Sequence, residues 1–133
     1  MQYVKAYIAG FLATVIFHQG LIALLHLAGI APTPAWDMTA LPPFSIPAVV
    51  SLALWGGLWG ILLWVIIRGM TGAKHWIAAV VIGAIAPSVI ALAVVFQIKG
   101  IPVTGDIVVG ALLVNAAWGL GVALLMRLAR GIG

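Results

Sequence analysis

The chain contains no cysteine and no glutamate, and its only side-chain carboxylates are Asp37 and Asp106. Without thiols, disulfides and thiolate metal sites are excluded, and the redox compartment leaves no trace. Two isolated aspartates do not form the acid–base pair of a hydrolase. No Gly-rich loop runs into a lysine as a phosphate cradle would. No enzymatic activity is therefore expected. Charge of any kind is scarce: 6% of the 133 residues are charged and 65% are hydrophobic, where an ordinary soluble domain carries about 25% charged residues. A soluble chain this short could not hide so much apolar surface, so the solvent it is built for is the lipid bilayer. Nowhere do polar and apolar residues alternate as they would in a barrel strand.

Apolar sequence is abundant in four stretches, near 6–30, 45–68, 76–98 and 104–128. Each can cross a hydrocarbon core of about 30 Å, which takes about 20 helical residues. The expected fold is an all-α membrane protein with four transmembrane helices in a single bundle over 1–133, made of one hairpin over 6–68 and a second over 76–128. The net charge of +4 does not indicate nucleic acid, because the basic residues neither cluster nor share a soluble face. They act instead as topology signals. Lys5, Arg68, Lys74, Arg127 and Arg130 fall on one side of the four-helix arrangement and Lys99 alone on the other. The basic side is cytoplasmic, which puts both termini in the cytoplasm and both aspartates outside. The first apolar stretch is too long for a cleaved signal segment and carries His18 and Gln19 in its middle. It is expected to stay as a transmembrane helix.

Small residues mark the helix contacts. Ala6, Gly10 and Thr14 recur every four residues in the first helix, and Gly56 and Gly60 do so in the second, within Trp55-Gly56-Gly57-Leu58-Trp59-Gly60. Close backbone approach along such strips drives helix association in lipid. The segment 31–44 holds Pro32, Pro34, Pro42 and Pro43, which exclude continuous helix. Trp36 within it fits an interfacial anchor. Pro87 in the third helix is expected to kink it, and His75 beside Lys74 and Trp76 is expected to lie at the cytoplasmic surface.

The two hairpins resemble each other. Trp59-Gly60 parallels Trp118-Gly119, Arg68 parallels Arg127 and Pro43 parallels Pro102. Tyr7-Ile8-Ala9 parallels Trp76-Ile77-Ala78, and Gly29-Ile30 parallels Gly100-Ile101. Both hairpins run in–out–in, so the expectation is a parallel internal repeat about an axis along the membrane normal, with any site at the repeat interface.

Nearly all intramembrane polar residues fall at one depth: His18 and Gln19 in the first helix, Ser88 in the third and Asn115 in the fourth. Polar groups there are costly and face the protein interior or a cavity. They serve either as hydrogen bonds between helices or as a binding layer. His18 and His26 lie about 12 Å apart along the axis at about 1.5 Å per residue and on different faces, so they cannot share a metal. Neither a metal nor a cofactor is expected.

Phe17-His18-Gln19-Gly20, His26-Leu27-Ala28-Gly29, Pro42-Pro43-Phe44, Trp55-Gly56-Gly57-Leu58-Trp59-Gly60 and Asn115-Ala116-Ala117-Trp118-Gly119 together resemble an uncharacterised family of small four-helix bacterial inner-membrane proteins. The resemblance implies the four-helix fold and the membrane, and it brings no activity with it. Two other small four-helix groups are unlike this chain. The multidrug exporters use a membrane-embedded glutamate, and the fluoride channels carry a Gly-rich segment followed by arginine at a helix break. The functional expectation is binding or passage of a small neutral or weakly polar solute at the His18, Gln19, Ser88, Asn115 layer. The rival is an accessory or assembly subunit with a packing role only. Gly56, Gly60, Trp59, Trp118 and Gly119 are expected at helix-packing contacts, and a homo-oligomer or a membrane-protein partner is expected; an accessory subunit would show a dry, filled midplane and an exposed small-residue stripe.

Overall fold

A computed structural model describes residues 1–131 of the chain. Four helices are long and apolar enough to cross a membrane: α1 (Gln2–Leu27), α2 (Ala48–Ile67), α3 (Gly72–Lys99) and α4 (Gly105–Leu128). Between α1 and α2 lies a two-stranded antiparallel ribbon, β1 (Ala40–Leu41) paired with β2 (Ile46–Pro47). The ribbon was not expected from the proline-rich sequence. It hands the chain to α2 through Pro47, which stands just before the helix with an extended ψ of 141°.

Helix is the form a lone segment takes in lipid, because it satisfies its own backbone. Where each helix stops is decided locally. Gly29 and Gly100 both take positive φ, 76° and 67°, a left-handed position that glycine occupies without steric cost. The next residue then turns its N–H back into the helix: Ile30 to Leu25 O at 2.8 Å, and Ile101 to Phe96 O at 2.9 Å. Both helices that run away from the termini thus end on the same glycine cap. α4 opens with Thr104, whose hydroxyl accepts from Ile107 N at 3.4 Å, and Asp106 in its first turn complements the helix dipole.

Glycine strips close each hairpin. A Cβ on Gly60 would stand 2.6 Å from Ala6 O and 2.7 Å from Gly10 Cα, and a Cβ on Gly56 would collide with the Thr14 hydroxyl. In the second hairpin a Cβ on Gly83 would stand 2.7 Å from Gly119 Cα, and one on Gly119 would collide with Ala79 O. Backbone lies directly on backbone in both pairs, so dispersion contact replaces the hydrophobic effect as the cohesive force. The hairpins join through α1 and α4. Trp118 Nε1 donates to Gly10 O at 3.1 Å, and the Phe17 ring covers Gly121, where a Cβ would come within 2.5 Å.

The lateral order is therefore α2–α1–α4–α3. The core of Ala6, Ala9, Ala13, Leu63, Trp64, Ile67, Ala79, Trp118, Val122, Ala123 and Met126 fills only the half of the bundle nearest the termini. At that end Lys5 Nζ donates to Ala129 O at 3.2 Å, Arg68 donates to the Tyr3 hydroxyl at 3.3 Å, and Arg127 lies 5.8 Å over the Trp76 ring. His75 is not at the surface as its basic neighbour suggested. It is buried between Trp64 and Trp76, edge-on to both rings at 6.5 and 5.7 Å. Its Nδ1–H donates to Ile67 O at 3.2 Å, fastening the end of α2 to the start of α3.

Two irregular turns interrupt the helices: Pro87 lies inside the α-helical part of α3, which widens into a π turn at Ala91–Val95, and α1 widens likewise at Thr14–His18.

Candidate binding cleft

Beyond the packed half, α2 and α3 part company. The space between them is an open cleft of about 1430 Å³, walled by α1 and α4 at its back and by the segment 33–38 at its far end. Its sides are apolar, with Leu52, Trp55 and Trp59 from α2 facing Ile90, Val95 and Phe96 from α3. Its polar lining includes His18 and Gln19 from α1, Ser51 from α2 and Asn115 from α4.

The π turn builds the first part of this lining. One inserted residue takes carbonyls out of the i to i+4 ladder, and a carbonyl at this depth needs another donor. Trp36 supplies it from the connecting segment: its Nε1–H donates to Val15 O at 2.8 Å, and its backbone N–H donates to Gln19 Oε1 at 2.8 Å. Trp36 itself has φ 55°, a conformation that costs a non-glycine residue about 1–3 kcal/mol and persists only where its surroundings impose it. The two bonds impose it. Trp36 pins the loop into the middle of α1.

That pin also fixes the chemistry of His18. The Gln19 oxygen is committed to Trp36 N–H, so its amide nitrogen is the atom facing His18 Nδ1, at 3.1 Å. An amide nitrogen only donates. His18 Nδ1 therefore accepts, and the neutral ring carries its proton on Nε2. The buried Gln19 has both ends engaged, and the half-buried His18 keeps one donor in reserve.

Asn115 belongs to a separate pair. Its Nδ2 donates to the Oγ of the buried Ser88 at 2.9 Å, joining α4 to α3 and leaving its second N–H and Oδ1 without a hydrogen bond among the described residues. The midplane layer is thus two hydrogen-bonded groups, Trp36–Gln19–His18 and Ser88–Asn115, with no direct bond between them. Thr14 spends its one donor within its own helix, its hydroxyl donating to Gly10 O at 2.9 Å. Ser51 makes no side-chain hydrogen bond among the described residues. Its role, and that of Trp36, went unseen in the sequence, because a serine near a helix start and a tryptophan in a loop have plainer explanations.

The helix-packing residues separate in the same way. Gly56, Gly60 and Gly119 are buried at the strips, and Trp118 is buried between the hairpins, whereas Trp59 is only partly buried and faces the cleft. The remaining polar groups stand apart. His26 Nδ1–H donates to Ala31 O at 2.9 Å and trims the end of α1. Asp37, fully exposed at the rim, accepts from Thr39 N at 2.9 Å, and bonds from the Thr39 side chain and backbone hold its carboxyl below the usual carboxylate range. Lys99 lines the opposite rim. Among the described residues no three His, Asp or Glu side chains come together as a metal cage would require. Comparison with protein-family models, with curated protein sequences and with solved structures returned no match.

Proposed function

We propose that this is a non-enzymatic, multi-pass membrane protein whose two hairpins hold a neutral or weakly polar solute between them, at the layer of His18, Gln19 and Asn115. The observation that carries this reading is the cleft itself. A chain that only packs has no reason to leave its polar midplane residues on the wall of an open space, and apolar pockets with a few convergent polar groups are the usual form of a ligand site. Ser88 supports the site from behind by holding Asn115. The same reading places the termini and the five basic residues Lys5, Arg68, Lys74, Arg127 and Arg130 in the cytoplasm, in a bacterial inner membrane, with the cleft opening to the outer side.

The hairpins are further proposed to be duplicates about an axis along the membrane normal. The shared glycine caps at Gly29 and Gly100 support this, as does the matching of Gly60 on Ala6 and Gly10 with Gly119 on Ala79 and Gly83. These contacts align the outgoing helices one turn away from the register implied by Tyr7-Ile8-Ala9 and Trp76-Ile77-Ala78.

One observation favours the accessory-subunit reading. Leu52, Trp55 and Leu58 are exposed by 41%, 63% and 51%, so a helix of a second copy or of another membrane protein could cover the cleft. The natural chain has no cysteine, which makes the test simple. Ser51→Cys and Asn115→Cys are expected to react with a small membrane-impermeant thiol reagent added from outside, as Thr33→Cys in the loop does. If Thr33→Cys reacts and neither cleft cysteine does, the cleft is dry or filled and the packing role stands.

A further inference from the structure

The far end of the cleft is walled by the segment 33–38, and the way that segment is held bears on how a solute enters. This inference rests on the cleft being a ligand site. The segment does not stay beyond the helix ends. Trp36 bonds to Val15 O and to Gln19 Oε1, and Val15 lies about 18 Å below Leu27, the last residue of α1, at about 1.5 Å per residue. The chain therefore turns back alongside α1 and reaches the level of Gln19 before α2 begins.

Its two attachments differ in kind. On the α2 side backbone bonds run into the helix: Asp37 O accepts from Val49 N and Thr39 O from Ala48 N, both at 2.9 Å, and Asp37 Oδ1 closes the turn on Thr39 N. On the α1 side stand the two Trp36 bonds, and no other hydrogen bond ties residues 32–36 to a helix among the described residues. Little buried surface adds to them. Pro32, Thr33, Pro34 and Trp36 are all exposed, Trp36 by 45%. Trp36 also holds φ 55°, so its seated form carries strain that unseating relieves. Segments held by a few polar bonds with little burial lie at the low-stability end of a fold. Pro32 and Pro34 stiffen this one, so it moves as a piece about its α2 attachment.

The bonds of Trp36 also run on into the cleft. Its N–H donates to Gln19 Oε1, and Gln19 Nε2 lies 3.1 Å from His18 Nδ1, so the segment is fastened to side chains that line the candidate site. We propose that the segment 33–38 is a gate across the outer mouth of the cleft, latched to α1 by Trp36 and hinged on the start of α2. A solute from outside passes when the latch opens.

The experiment measures how fast Ser51→Cys is modified by a trimethylammonium methanethiosulfonate, whose charge keeps it out of the hydrocarbon, with the full chain in nanodiscs. Thr33→Cys, on the segment itself, calibrates the reagent. Two second substitutions open the latch through different bonds. Trp36→Phe removes the indole donor, and Gln19→Met removes the acceptor of the backbone N–H. Each is expected to raise the Ser51→Cys rate about fivefold, as the loss of one hydrogen bond implies. Phe44→Ala, 80% exposed in the same connection and no part of the latch, is expected to leave the rate unchanged. Amide exchange at Leu63 and Ala79 reports on the packed half and is expected to match that of the natural chain. Equal rates with and without the latch overturn the gate and leave the cleft standing as a ligand site. A rate raised by Phe44→Ala as well, or by one latch variant alone, overturns the two-bond latch. Faster exchange at Leu63 and Ala79 overturns it too, by showing that the segment holds up the whole fold. No reaction of Ser51→Cys in any background, while Thr33→Cys reacts, overturns the gate together with the ligand site.

Discussion

At the scale of the residue, glycine and tryptophan do most of the structural work, and each can be tested singly. Gly60→Leu must force α1 and α2 apart, because even a Cβ there meets Ala6 O at 2.6 Å. By analogy with overpacked cores it is expected to cost about 3 kcal/mol, read as a lowered Tm in detergent. Gly20→Ala, where nothing lies within 4 Å of the added carbon, is the matched control and is expected to leave Tm unchanged or slightly raised. Trp118→Phe removes one bond, Nε1–H to Gly10 O, between the hairpins. Its expected cost is about 1 kcal/mol, in the range found for polar contacts inside membranes. Asp37 offers a pH readout at the rim. Its folded carboxyl sits below the usual range through Thr39, so the turn it makes is intact at neutral pH and is lost as pH falls through that depressed value. The Thr39 amide resonance is expected to shift only in that acid range, and Asp37→Asn to remove the pH dependence.

At the scale of the element, the helices could be found from composition, and their irregularities could not. Four apolar runs announce four spans, and the glycine pairs announce which faces meet, because length and side-chain size act locally. The π turns at Thr14–His18 and Ala91–Val95 leave no such mark. Pro87 could be read as the place where α3 loses a backbone donor, but nothing in the residues marks the π turn that begins at Ala91. His75 looked like a surface residue beside Lys74, but the short turn after α2 folds it back between two tryptophans. The depth shared by His18, Gln19, Ser88 and Asn115 could be counted along the helices, whereas their partners depend on how the helices rotate, which counting does not supply. The Trp36 pin was the least legible, since it joins a loop to the middle of a helix. Its removal is expected to be felt there. Trp36→Phe leaves Val15 O without its indole donor, and amide exchange at the π turn is expected to quicken while that at α4 does not. Equal effects on both helices would show that Trp36 merely fills space.

At the scale of the whole molecule, one packed, basic end and one open end define the design. Lys5, Arg68, Lys74, Arg127 and Arg130 gather where the core is packed, while Asp37 and Lys99 line the rim of the cleft at the other end. Reporter fusions after Gly133 and within 34–41 are expected to give opposite readouts, cytoplasmic for the first and external for the second. The same side for both would break the orientation drawn from charge. The uneven core has a further consequence, for how the protein comes apart. Local opening draws on the least packed regions first. Here the core cluster lies in the half of each helix nearest the termini, so the four spans are not four units of stability. Each is a firm half joined to a soft half, and deuterium is expected to enter the outer turns of α2 and α3 long before it reaches Leu63, Ile67 or Ala79. Stability in this protein is a gradient across the bilayer, with unfolding begun from one face.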